Sequence, residues 1–156
     1  MKEILDHEEI ELSEGEIKYR PLALLTEGIP FLIGIIGVVF YNEFTVIGFS
    51  LLSLIYLIMG WYIFKGATFS LGSIIYGTLS GIILSIAANS VLFGLLDWNY
   101  HTEMAIVANT LIIPALVFSI IWYLIRKDKH FEYTLSLKII SRLVFALLLL
   151  FLLEYL

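Results

Sequence analysis

Residues 70–96 read SLGSIIYGTLSGIILSIAANSVLFGLL, a run that contains no charged residue. As an α-helix rising 1.5 Å per residue this run is about 40 Å long, enough to cross the roughly 30 Å hydrocarbon core of a bilayer. Within it Ser73, Gly77, Gly81, Ser85 and Asn89 recur every four residues. That period belongs to a helix and not to a strand, and it places the five small or polar residues in one stripe. Gly77 and Gly81 form a GxxxG, the spacing that lets two membrane helices bring their backbones together. The segment is therefore read as a membrane-spanning helix that packs through its small face, the central helix of a bundle.

Outward from this run, four more apolar stretches fall at about 22–41, 44–64, 104–125 and 135–153. Each is near the length that spans a bilayer. The breaks are short: Tyr41-Asn42-Glu43, Lys65 to Thr68, Asp97 to Glu103, and Arg126 to Thr134. Connections this brief force neighbouring helices to run antiparallel. The expected fold is all-α, a polytopic integral membrane protein built as a five-transmembrane-helix up-and-down bundle. Composition agrees, since 60% of the residues are hydrophobic and 15% are charged, with a mean hydropathy of +0.97. Soluble domains of this size carry about a quarter of their residues as charges.

Charge placement sets the orientation. With the N-terminus inside, all nine basic residues fall on or near the cytoplasmic side: Lys2, Lys18, Arg20, Lys65, Arg126, Lys127, Lys129, Lys138 and Arg142. The outer side receives Glu43, Asp97, His101, Glu103 and Glu154, without a Lys or Arg. This is the positive-inside distribution. Its expected setting is a bacterial cytoplasmic membrane, with the C-terminus outside. Residues 1–21 hold seven of the 14 acids and are read as a solvated acidic cytoplasmic tail, with no cleavable signal peptide expected because such peptides begin basic. Residues 22–156 make up the membrane domain.

Few residues inside the spans carry chemistry. Glu27, in Thr26-Glu27-Gly28-Ile29-Pro30, lies about 8 Å along span one from Leu22, and Arg142 about 10 Å along span five from Leu135. Both spans run in the same direction, so the two groups share a level, with Lys138 one turn below Arg142. A charge alone in hydrocarbon is costly. The expectation is an ion pair of Glu27 with Arg142, or failing that with Lys138, across neighbouring spans one and five. The alternative use of Glu27 is as a proton or cation carrier. Asn89 and Asn109 fall at similar depths in the outer half and are read as an amide pair that clamps two helices or binds a substrate. Pro114 should kink span four.

The chain has no cysteine, which excludes thiolate nucleophiles, iron-sulfur clusters and cysteine zinc sites. No HExxH, no Gly-x-Ser-x-Gly elbow and no second intramembrane aspartate to make a protease dyad occurs in the sequence. Neither a metal, a cofactor nor a nucleic acid is expected. The partners implied are the lipid bilayer and a membrane-protein partner or a second copy of the chain. Function is read as that of a non-enzymatic accessory or structural subunit of a membrane assembly. The alternative is a small transporter or proton-coupled carrier that uses Glu27 with the Asn89 and Asn109 level.

Overall fold

The computed structural model describes residues 25–62, 71–125 and 130–154. The acidic tail 1–21 and the basic groups at Lys65, Arg126, Lys127 and Lys129 lie outside the described residues. Five helices account for nearly all of the rest: α1 (Leu25–Phe40), α2 (Asn42–Tyr62), α3 (Leu71–Leu95), α4 (His101–Ile125) and α5 (His130–Glu154). Three of them contain stretches long and apolar enough to cross a membrane, Ile74–Leu95, His101–Ile125 and Leu135–Leu153. Leu25–Phe40 and Asn42–Ile58 are shorter apolar helices. The described lengths thus support three spans, and the count of five expected from hydropathy extends beyond them.

Helix ends differ from the apolar boundaries because polar residues fold into first turns. Only Tyr41 separates α1 from α2. The loop expected at Asp97 to Glu103 is also shorter, since α4 begins at His101. Its geometry follows from how α3 stops. The Trp98 N–H donates to the Phe93 carbonyl at 3.1 Å and the Asp97 N–H to the Gly94 carbonyl at 3.3 Å. This is a Schellman cap, in which the residue after the helix turns left-handed. Asp97 fills that place with φ 49°. The apolar contact that accompanies such caps is made by Trp98 against Phe93, ring centroids 5.2 Å apart. Asp97→Gly, which removes the Cβ at a left-handed position, is expected to stabilise the protein by up to about 1 kcal/mol, read from a thermal melt. Unchanged or lower stability would mean that the Asp97 side chain contributes more than its conformation costs.

α3 is the central helix. It packs on α2, α4 and α5, and half of its span is buried against 17% for α4 and 33% for α5. Toward α2 it presents the small stripe. Gly77, Gly81 and Ser85 are buried, and the Ser85 hydroxyl meets that of Ser53 at 2.7 Å. The Asn89 amide donates to the same Ser53 oxygen at 3.0 Å. The core behind this polar chain is built from Leu84, Ala87, Ala88, Val91 and Leu92 of α3 with Leu143, Ala146 and Leu150 of α5. Toward α4, Tyr76 stacks on Trp122 at 5.8 Å, and Phe118 closes the cluster at 5.7 Å from both rings.

α1 and α2 form a tight hairpin about Tyr41. A methyl group placed on Gly48 would stand 2.6 Å from the Gly34 Cα and from the Pro30 carbonyl oxygen, and one on Gly37 would meet the Thr45 backbone. These backbones approach so closely only because the facing residues lack side chains. α1 then reaches α5 through Phe31, whose ring lies 5.3 Å from that of Phe145.

Candidate functional site

Arg142 is twelve residues from each end of α5, so its side chain leaves the helix at mid-height. Glu27 meets it from α1. The Arg142 Nε donates to Glu27 Oε2 at 2.8 Å and its second terminal nitrogen to Oε1 at 2.6 Å. This is the parallel two-bond geometry that a planar guanidinium offers a carboxylate. The remaining terminal nitrogen donates to the Lys138 carbonyl oxygen at 2.9 Å, which ties the arginine to the preceding turn of its own helix. In the isolated chain the Arg142 side chain is 17% exposed and that of Glu27 19%. Tyr56 of α2, itself buried, lies within electrostatic reach of both charges.

Arg142 lies seven residues into the apolar stretch Leu135–Leu153, as the sequence expects, although the helix itself is longer. α5 starts at His130 and not near Leu135, because polar residues around Glu132 are helical. Glu27, bonded to Arg142, shares its height. The described part of α1 therefore begins near mid-height and runs to the end where Tyr41 and Phe44 meet with ring centroids 6.1 Å apart. Lys138 contributes its carbonyl to this site and carries an exposed side chain one turn away.

Asn89 and Asn109 are not brought together. Asn89 belongs to the stripe that faces α2, and its amide is engaged with Ser53. Among the described residues no hydrogen bond joins it to Asn109. The sequence set the two at a similar distance from the turn between α3 and α4, but Asn89 is directed at α2. Ser53, the true partner, was overlooked in the sequence. Its only signal there is a hydroxyl within an otherwise apolar stretch of α2. Ser73 lies in the first turn of α3. Between α3 and α4 His101 Nδ1 stands 3.6 Å from Asp97 and 3.2 Å from the Trp98 carbonyl oxygen, contacts that close the turn.

Chemically, this arrangement holds one carboxylate with both oxygens engaged. Near it, a void of about 20 Å³ lined in part by Phe49, Tyr56 and Phe145 has room for roughly one water molecule. Comparison of the chain with protein-family models, with curated proteins and with solved structures finds no match in any of the three.

Proposed function

We propose that the protein is a non-enzymatic multi-pass membrane subunit, an accessory or structural part of a membrane assembly. The observation that carries this reading is the two-bond engagement of Glu27 by Arg142. A proton or cation carrier must release its carboxylate to solvent or cargo during each cycle. Here release would leave a guanidinium and a carboxylate separately uncompensated at mid-height, which is costly in a low-dielectric setting. The hydroxyl and amide chain of Ser85, Ser53 and Asn89 likewise fastens α2 to α3. α4 supports the assembly role from the other direction. Of its residues only Ala108, Ile112 and Ser119 are buried, so most of a 25-residue apolar helix faces outward, toward lipid or a neighbouring membrane protein.

The reading includes five membrane crossings, a cytoplasmic N-terminus and an external C-terminus in a bacterial cytoplasmic membrane. The charge distribution along the sequence supports it, since with five crossings every Lys and Arg falls on or near one side. Because the chain lacks cysteine, orientation can be read from single introduced thiols. Asn99→Cys is expected to react with an impermeant maleimide in intact cells, and His130→Cys only after lysis. The reverse pattern would invert the topology.

Function is tested in two arms. Extraction into nanodiscs and native mass spectrometry is expected to find the protein at a fixed stoichiometry with a partner or a second copy. The same protein in liposomes should show no pH-driven flux. Flux that disappears in Glu27→Gln, with the fold retained, would replace this reading by that of a proton-coupled carrier.

A further inference from the structure

A cavity of about 480 Å³ opens between α3 and α4, within the size range of small-molecule sites. It runs from the Tyr76 and Trp122 level to mid-height at Ile83 and Thr110, along helices apolar enough to span a membrane. Its occupant must therefore enter sideways from the bilayer. Gly72, Ser80 and Ala115 keep the walls thin, and Pro114 shapes the α4 side.

Two polar features single this groove out. Pro114 has no N–H to give to the carbonyl of Thr110, four residues earlier and on the same helix face, and both residues line the groove. The Thr110 hydroxyl does not answer this need, since it donates to the Ile106 carbonyl oxygen at 2.7 Å. Behind the groove, Tyr76 is 5% exposed, and its buried hydroxyl lies toward Ser119 and Ser136 without a hydrogen bond of regular geometry. The site thus offers an apolar body of space with a carbonyl acceptor at mid-height and the Tyr76 hydroxyl at the rear. The geometry points to a binding site for a bilayer-dissolved apolar molecule that carries a hydroxyl group, the hydroxyl donating to the Thr110 carbonyl.

Trp122 lines the groove and serves as the reporter. The full chain with Trp61→Phe and Trp98→Phe, in nanodiscs, is titrated with dibromostearyl alcohol and separately with its methyl ether, bromine being the quencher. Saturable quenching is expected, with the alcohol half-saturating at about fivefold lower mole fraction, the scale of one net hydrogen bond. Ala115→Phe, which fills the groove, should abolish the saturable part. Pro114→Ala, which supplies the missing N–H, should keep saturable binding and make the two probes equal. Quenching linear in mole fraction and identical for both probes would show an ordinary lipid-facing tryptophan and overturn the site. Equal saturable binding of alcohol and ether by the unsubstituted groove, or a preference that survives Pro114→Ala, would overturn the role of the Thr110 carbonyl.

Discussion

Glu27→Gln is expected to destabilise the protein by about 3 kcal/mol, because removing one member of a largely buried pair leaves the other charge uncompensated. Arg142 would remain a guanidinium at mid-height, with its Lys138 carbonyl contact and no counter-charge, and a guanidinium stays protonated at any working pH. Arg142→Gln should also destabilise, but less, since a carboxyl group can be neutralised by taking up a proton. The double variant should lie at least about 1 kcal/mol above the additive expectation, as two amides can bond to each other without a charge. Reversible unfolding of all four proteins in the same mixed micelles measures the coupling. Additive losses, with no coupling beyond about 0.5 kcal/mol, would mean that the two bonds of 2.6 and 2.8 Å contribute little to the fold.

The second large effect is expected at the hairpin. In Gly48→Ala the new methyl meets backbone atoms, the Gly34 Cα and the Pro30 carbonyl oxygen, both 2.6 Å away. Backbone cannot swing aside as a side chain does, so α1 and α2 must separate. Overpacking of this kind costs about 1–3 kcal/mol, occasionally more, and the separation would also draw Phe31 from Phe145. Gly28→Ala is the matched control. It lies in α1, the other helix of the hairpin, with nothing within 4 Å, and gains up to about 1 kcal/mol from the better helix propensity of alanine. Thermal melts of the two variants should therefore shift in opposite directions. Equal shifts would indicate that helix propensity and not interhelical contact governs both sites.

Much of this architecture is legible in the residues. Apolar runs and short breaks give helices that follow one another antiparallel, and a rise of 1.5 Å per residue brings Glu27 and Arg142 to one level. The full length of α5 was not legible. Hydropathy marks where a helix becomes apolar, whereas α5 begins earlier, at His130. The same limit shortened the loop before His101. Direction around an axis was harder to read than depth, as Asn89 shows. Its place in the stripe with Ser85 already directed it to a packed neighbour, and that neighbour is α2 and not α4. The hairpin glycines carried a readable signal that hydropathy does not use. Gly34 and Gly48 are each seven residues from Tyr41, and Gly37 and Thr45 each four. In an antiparallel pair with a one-residue hinge, such positions must face each other.

The pairing of Glu27 with Arg142 joins residues 115 apart in the chain. During synthesis at roughly 5–20 residues per second, the carboxylate precedes its guanidinium by about 6–23 s. Through that interval α1 and α2 can close on their glycines, since Gly34, Gly37 and Gly48 find their contacts within the hairpin, but Arg142, the partner of the charge on α1, has not yet been made. α5 therefore neutralises a helix made 115 residues earlier. A chain that stops before Arg142 lacks the group that answers Glu27 and must hold that carboxylate in a low-dielectric setting uncompensated or protonated.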